Sequence, residues 1–238
     1  MIGIDISNKR LSNAINTSNK ITLSVFTDPM MGLSYEHEPV LHKLRNYFKR
    51  QIEIRYIMAG LVRDVSDFML PEEKSMNPEN GIHAYNKRLA RIYLQEESIG
   101  GLPMNMEDFH LFDPGHRSSY PLNIAYEAVK ILQPELSERF LYMLREATIV
   151  SGIPTTHTAE LVKLAVAAGM DGEKFLECFQ NGDAEEAFYQ DLRMTALYRI
   201  QSLPAYLIGY RGKSAIVSGL PDYENFKDFI LQIQSSHT

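Results

Sequence analysis

The residues with the clearest chemical potential lie in one short stretch, FTDPMMGLSYEHEPVL, which runs from Phe26 to Leu41. Ser34 and His37 are three residues apart, so they can share one face of a helix as a nucleophile and its base. No third residue that would orient the histidine is evident beside them. The sequence therefore favours plainer roles: Ser34 as a helix N-cap, His37 as a solvent-exposed side chain, and Asp28 as a turn former.

Cysteine and histidine usage limits the redox and metal chemistry open to the chain. Cys178 is the single cysteine, which excludes an intramolecular disulfide and a multi-cysteine metal site. It lies between Leu176 and Phe179, a setting that favours a small core residue over a reactive thiol. The seven histidines and thirty acidic residues show no H-x-x-x-H or comparable spacing. The sequence therefore predicts no metal site.

Two strands and a helix must position the 26–41 stretch. Residues 21–27, ITLSVFT, have the alternation and β-branched content of a strand. Apolar residues then recur at helical spacing from Ser34 to about Arg50, with a kink expected at Pro39. Residues 52–58, IEIRYIM, predict a second strand. This order predicts a βαβ unit with two parallel strands.

The rest of the chain divides into a helical block and a second β region. Residues 71–199 contain six segments with apolar residues at three- and four-residue spacing, separated by Gly- and Pro-containing turns. The segments AYLIGY and SAIVSG, joined by a polar turn at residues 211–213, predict a hairpin. A last helix follows, with Asp222 as its N-cap. The order predicts one α/β domain, residues 21–70 and 200–238, interrupted by a helical insertion at 71–199. The Asn- and Ser-rich residues 1–20 predict a loosely ordered extension.

Composition narrows the function classes further. The chain has 238 residues, 45% of them hydrophobic and 23% charged, which is typical of a globular protein. A net charge of −6 and the absence of a long Lys/Arg run argue against a nucleic-acid partner. The sequence contains neither a secretory signal pattern nor an apolar run of the ~20 residues that span a bilayer. We expect a cytoplasmic protein without a membrane partner.

The order of elements and the local motifs resemble the DsbA-like branch of the thioredoxin superfamily, which comprises dithiol-disulfide isomerases and oxidoreductases. That branch carries a pattern of the form F-x-D-P-x-C-x-x-C-W-x-x-E-P after its first strand. The residues that match it are Phe26, Asp28, Pro29, Glu38 and Pro39, with Tyr35 at the aromatic position. Met31 and Ser34 occupy the two cysteine positions. The resemblance implies a thioredoxin-like fold with a large all-helical insertion.

Two further stretches extend this resemblance to residues 21–233. SSYPLNIAYEA, residues 118–128, is similar to the start of a helix in the insertion of such proteins. SLPAYLIGYRGKSAIVSG, residues 202–219, resembles the hairpin that carries a cis-proline facing the active-site turn. The resemblance therefore implies that the Leu203-Pro204 peptide is cis and that its loop lies against the turn of residues 31–34.

The substitution of both cysteines removes dithiol chemistry at this turn. Disulfide exchange needs a thiolate to attack and a second thiol to resolve the mixed disulfide. Met31 has no proton to lose, and the Ser34 hydroxyl cannot form a disulfide. We therefore expect no catalytic residue in the motif Met31, Gly32, Leu33 and Ser34.

Two functions remain open on this scaffold. The first is recognition of a polypeptide partner, because some members of the branch act as adaptors that present a regulatory protein to a protease. An apolar contact surface would then be formed by Met30, Met31, Ser34, Tyr35, Leu203 and Pro204. The second is a kappa-type glutathione transferase or isomerase, which implies glutathione as the one candidate cofactor. Such enzymes place a serine at the first cysteine position, whereas here the serine is at the second.

Overall fold

The computed structural model describes residues 4–5 and 19–235. Most of the predicted loose extension, residues 1–3 and 6–18, lies outside these described residues. Residues 4–5 form a short strand that pairs antiparallel with a strand near the C-terminus, Ile4 opposite Ile216. Part of the predicted extension therefore belongs to the sheet.

In the described part of the chain, five strands form one sheet in the order β1-β5-β4-β2-β3. The strands are β1 (Ile4–Asp5), β2 (Ile21–Thr27), β3 (Ile52–Met58), β4 (Ala205–Tyr210) and β5 (Lys213–Ser218). Strand β4 runs antiparallel to β2, with Phe26 opposite Ala205. All six residues of β4 are buried, as expected for a strand with neighbours on both sides.

The predicted hairpin is present as β4 and β5. Tyr210 pairs with Lys213, so Arg211 and Gly212 form a two-residue turn. Both have positive φ, 45° and 84°. Two positive φ values match the right-handed twist of the flanking strands, and glycine adopts such a conformation at little cost.

The described residues form ten α-helices between and after these strands. They are α1 (Gly32–Glu36), α2 (Glu38–Phe48), α3 (Pro71–Lys74), α4 (Pro78–Gly100), α5 (Tyr120–Leu132), α6 (Ser137–Arg145), α7 (Thr158–Ala168), α8 (Gly172–Gln180), α9 (Asp183–Leu197) and α10 (Tyr223–Ser235). None of them is long and apolar enough to cross a membrane.

The single kinked helix predicted after β2 is two helices. Helix α1 ends at Glu36, and α2 restarts at Glu38 with Pro39 in its first turn. Proline fits the first turn because the missing N–H would have no intrahelical acceptor there, whereas it disrupts a helix interior. The proline therefore marks the start of a new helix.

The chain folds into two compact units. The sheet unit contains the described residues up to Thr27, His37–Ile57 and the described residues from Thr195 onward. The helical unit contains Asp28–Glu36 and Met58–Met194. The domain bounds predicted from sequence, with an insertion at residues 71–199, stay a prediction. Of the 26–41 stretch, residues 28–36 belong to the helical unit, whereas His37 belongs to the sheet unit.

Each unit has its own core. In the sheet unit, alternate residues of β2 (Ile21, Leu23 and Val25) are buried, together with Phe226 and Ile230 of α10. The core of the helical unit is a larger apolar cluster from α4 to α9. Met30 and Tyr35, from the chain before and within α1, lie in this cluster. Their burial has consequences for the site.

Candidate functional site

The chain between β2 and α2 forms a turn followed by one helical turn. The Met31 N–H donates to the Asp28 carbonyl over 3.0 Å, and the Tyr35 N–H donates to the Met31 carbonyl over 3.2 Å. Residues 31–35 therefore wind as a single helical turn, with the side chains of Met31 and Ser34 three positions apart. We call residues 28–36 the corner.

Asp28 anchors the start of the corner. Its carboxylate is fully buried. One oxygen accepts from the Met30 N–H at 3.0 Å, and the other accepts from the Leu61 N–H at 2.7 Å. The second oxygen also accepts from Ser119 Oγ at 2.7 Å and from Asn123 Nδ2 at 2.9 Å. The carboxylate thus joins the corner to the chain after β3 and to α5.

Burial and hydrogen bonding act on the Asp28 carboxyl in opposite directions. Burial raises its pKa above the ordinary value, while the donors from Asn123, Ser119, Met30 and Leu61 lower it. A carboxylate that holds several donors at fixed positions serves structure, which extends the turn-forming role that the sequence predicts for Asp28. The 118–128 stretch, noted above only for its resemblance, supplies two of these donors.

Helix α4 supports the corner from a second side. The Tyr93 hydroxyl donates to the Met30 carbonyl. Glu96 accepts a hydrogen bond from the Leu33 N–H. A Cβ on Gly32 would lie 2.1 Å from Glu96 Oε2, so only glycine at this position lets the carboxylate come so close to the backbone. The sequence patterns did not indicate that Tyr93 or Glu96 would lie at the corner.

The carboxylate of Glu36 lies at the end of the corner. Its Oε2 accepts from the Leu102 N–H at 3.1 Å. A Cβ on Gly100 would lie 1.9 Å from that oxygen, so glycine is again needed for the approach. Glu36 Oε1 and Glu96 Oε2 are both buried and have no hydrogen-bond partner among the described residues. Two incompletely satisfied carboxylates are therefore present here, that of Glu36 at the end of the corner and that of Glu96 on α4.

Electrostatics favour a proton on Glu96. Burial, followed by the charge of Glu36, raises the pKa of Glu96 to about 7, although the Leu33 N–H opposes this shift. Burial also raises the pKa of Glu36. The pair can therefore hold or release a proton near neutral pH. The neighbouring motif of residues 31–34 contains no thiol with which this proton could be exchanged.

We expect the Glu96→Gln variant to be less sensitive to pH than the wild type. The folded state keeps a proton on Glu96 between its ordinary pKa and about 7. The folded state binds more protons than the unfolded state in this window, so stability falls as pH rises through it. The substitution should remove about 1 kcal/mol from the pH-dependent change in the free energy of unfolding. This value is discounted for solvent screening because Glu96 is only partly buried. Urea unfolding at pH 5 and pH 7.5 measures it.

The exposed Glu135 provides the matched control for this prediction. In Glu135→Gln, the free energy of unfolding should differ between pH 5 and pH 7.5 by as much as it does in the wild type. An unchanged difference in Glu96→Gln would show that Glu96 carries its charge in the folded protein throughout this range.

Burial limits which of the predicted binding residues can form a surface. Met30, Ser34 and Tyr35 are 1%, 3% and 4% exposed, so they cannot supply contact area. Met31 is half-buried, and so is Leu33 of the motif. The part of the predicted surface that the helical unit can offer is therefore centred on Met31 and Leu33, and its binding role stays a prediction.

Two plain expectations about polar residues are wrong. Ser34 is inside α1 and not its N-cap, and its buried hydroxyl has no hydrogen-bond partner among the described residues. His37 is 3% exposed and not solvated. Its ring bonds to the Tyr206 hydroxyl at 2.6 Å and to the Pro221 carbonyl at 2.7 Å, within the sheet unit. Burial lowers the pKa of His37. Ser34 belongs to the helical unit and His37 to the sheet unit.

The other predicted binding residues, Leu203 and Pro204, lie directly before β4 in the sheet unit. The Leu203-Pro204 peptide is cis, as the resemblance implied. Pro204 is buried and Leu203 half-buried. A surface that combines them with the corner stays a prediction.

The single cysteine of the chain, Cys178, is a buried core residue. It is unpaired, 5% exposed and part of the core of the helical unit. Burial raises the pKa of its thiol, followed by the nearby charges of Asp183 and Glu177. A buried thiol with a raised pKa is a poor nucleophile, which agrees with the core role predicted from sequence.

Known proteins resemble this chain along most of its length. The family model described as Thioredoxin matches residues 24–228. A ClpXP adapter protein, SpxH, from Shouchella clausii is 22% identical over 212 residues, which cover 87% of this chain and 63% of that protein. The protein of the same name from Halalkalibacterium halodurans is 25% identical over 187 residues, 79% of this chain and 58% of that protein. The chain thus spans less than two thirds of these curated relatives.

Solved structures match the fold at low sequence identity. A candidate disulfide isomerase from Nitrosomonas europaea superposes with a TM-score of 0.75 at 18% identity, covering 92% of this chain and all of that one. The cytosolic disulfide reductase DsbM from Pseudomonas aeruginosa gives 0.64 at 19% identity, covering 91% of this chain and all of that one. Its structure with GSH gives 0.63 at 18% identity, covering 89% and 98%.

Proposed function

The chain belongs to the thioredoxin family. From this premise we propose that it is a redox-inactive member of the DsbA-like branch, an adaptor that binds a polypeptide partner in the cytoplasm. The observation that carries the proposal is the corner itself. Its backbone is held in place by Asp28, Tyr93 and Glu96, yet Met31 and Ser34 stand where a dithiol enzyme has its cysteines. A rigid backbone of this form, without the two cysteines, can still bind a polypeptide, because binding needs a surface and no thiol.

The curated relatives support the same role. Those at 22% and 25% identity are named as adapters of ClpXP. An adapter needs a surface for its client and no catalytic group. We propose that this chain likewise brings one polypeptide client to a protease, with the half-buried apolar side chains of Met31 and Leu33 in the contact.

The test compares protein half-lives in the native host. We expect a small set of host proteins to persist several-fold longer in cells that lack the chain, and the same proteins to co-purify with the wild type. Met31→Lys keeps the linear shape of methionine but adds a charge to the contact surface. It should behave like the deletion while unfolding at the wild-type temperature.

A matched control is available on α7, where Val166 is 53% exposed. Val166→Lys adds the same charge elsewhere on the helical unit and should behave like the wild type. Unchanged half-lives throughout the proteome in the deletion strain would contradict the adaptor role. Full activity of Met31→Lys would contradict only the assigned surface.

Glutathione binding is the second candidate function, since a protein with this fold has been solved with GSH. Ser34 would have to donate its hydroxyl to a thiolate. That hydroxyl has no hydrogen-bond partner among the residues that the structure describes, but Ser34 is only 3% exposed, and Met31 at the first position offers no donor. We therefore expect glutathione to bind no tighter than about 1 mM, or about −4 kcal/mol. Calorimetric titration measures this. Micromolar binding that is lost in Ser34→Ala would favour the enzyme.

A further inference from the structure

A cluster of two histidines and one carboxylate lies in the helical unit, outside the corner. His157 Nε2 is 2.7 Å from Asp113 Oδ2, and His116 Nδ1 is 2.9 Å from the same oxygen and 3.0 Å from Oδ1. The two imidazole rings stack with their centroids 3.7 Å apart. One nitrogen of each ring and one carboxylate oxygen thus lie within 4.8 Å of one another.

The carboxylate is held so that one oxygen faces the histidines. Asp113 Oδ1 accepts from the Gly115 N–H at 2.7 Å and from the His116 N–H at 3.0 Å. The backbones of Asp113 and His116 also pair with each other, at 3.2 Å and 3.1 Å. These bonds fix the carboxylate and leave Oδ2 directed at both rings. Outer contacts of this kind orient a metal ligand.

Buried side chains hold the two chain segments that carry the cluster. The Asn86 amide bonds both the carbonyl and the N–H of Phe112, at 2.7 Å and 3.2 Å. The Thr156 hydroxyl donates to the Leu111 carbonyl at 2.6 Å, and both residues are 1% exposed. The residues next to Asp113 and His157 are therefore fixed to the core. The three ligand atoms are positioned by the fold and not by a flexible loop.

The cluster is also open to solvent. The side chains of Asp113, His116 and His157 are 38%, 39% and 37% exposed. An ion could therefore enter and leave, and water could complete its coordination. A fully buried His-Asp-His cluster would be better explained as a stabilising hydrogen-bond network.

We propose that Asp113, His116 and His157 bind a divalent transition-metal ion, zinc in the first instance. Imidazole nitrogen and carboxylate oxygen are its ordinary ligands, and three protein ligands with a water in the fourth position is a known arrangement. Tetrahedral zinc would hold its ligand atoms about 3.3 Å apart. The nitrogen–oxygen distances of 2.7 Å and 2.9 Å would have to open by about half an ångström to reach this spacing. The two ring nitrogens lie within 4.8 Å of each other and would have to adopt the same spacing, with each imidazole proton on its outer nitrogen.

This site goes against the prediction of no metal made from the sequence. Asp113 and His116 belong to one turn, DPGH, but His157 follows in a separate segment. Motif spacing does not detect a ligand that arrives from another segment.

The experiment uses tag-free protein freed of metal by a chelator. Competition with a zinc-binding chromophore should show one equivalent of Zn²⁺ bound with a Kd on the order of 1 μM. Asp113→Asn, His116→Gln and His157→Gln should each weaken binding at least tenfold. His110→Gln, an exposed histidine near the turn, and His83→Gln should bind as the wild type does.

A second measurement keeps the test decisive if the variants fail to fold. Nitrogen-15 spectra of the wild-type histidine rings, recorded with and without Zn²⁺, should show shifts for the His116 and His157 rings alone. Equal affinity of the folded cluster variants and the wild type would overturn the proposal. So would the absence of stoichiometric binding, or ring shifts confined to other histidines. In that case the cluster is a hydrogen-bonded turn only.

Discussion

Asp28→Ala should lower the free energy of unfolding by about 4 kcal/mol, because the change leaves several buried donors without an acceptor. The N–H groups of Met30 and Leu61 would lose their bonds of 3.0 Å and 2.7 Å in a site closed to water. Ser119 and Asn123 would lose the same acceptor. Relief of the buried charge offsets part of this cost, because burial raises the pKa of the Asp28 carboxyl despite its four donors.

Two further variants isolate the cause. Asp28→Asn keeps one oxygen acceptor but turns an amide group toward a donor, so it should cost about 2 kcal/mol. Asp171→Ala makes the same truncation at an exposed N-cap of α8, where Asp171 accepts from the Glu173 N–H at 3.0 Å. That change should cost about 1 kcal/mol. Urea unfolding measures all three. Equal losses for Asp28→Ala and Asp171→Ala would mean that the Asp28 network contributes little.

The double substitution M31C/S34C should give the protein a disulfide reductase activity that the wild type lacks. The Tyr35 N–H to Met31 carbonyl bond places residues 31 and 34 one helical turn apart. That spacing of about 5 Å between Cα atoms is within the range that a disulfide bridges. We expect insulin reduction by dithiothreitol to be accelerated on the order of 100-fold over the wild-type protein.

The controls for this gain of activity separate the new thiols from the native one. The wild type and Cys178→Ser should both be inactive, because Cys178 is buried and its pKa is raised. The single variant Met31→Cys should form mixed disulfides without turnover, since it lacks a resolving thiol. An inactive double variant that folds normally would show that the corner has lost more than its cysteines. Turnover by the wild type that requires Cys178 would contradict redox inactivity.

The order of the elements could be predicted from the sequence because local patterns encode it. Alternating side chains identified β2, and the Arg211-Gly212 turn identified the β4–β5 hairpin. Helical spacing identified the block of helices that follows β3. The split between α1 and α2 was missed, because Pro39 can kink one helix or begin a second. Local sequence does not distinguish the two outcomes.

The sequence by itself also predicts that the motif of residues 31–34 carries no dithiol chemistry, since residues 31 and 34 are methionine and serine. Only the tertiary structure decided what surrounds them. It buried Met30 and Tyr35, which the sequence had assigned to a contact surface.

The remaining features of the sites were likewise decided by tertiary structure. It brought Asn123 to Asp28, placed Glu96 beside Gly32, and set His157 against Asp113. Each of these pairs joins residues far apart in the chain. Side-chain periodicity indicates which face of a helix or strand is apolar, but it does not indicate which distant helix or strand will pack against that face. Burial, hydrogen bonding and shifted pKa values all depend on that partner, so they arise only when the chain has folded.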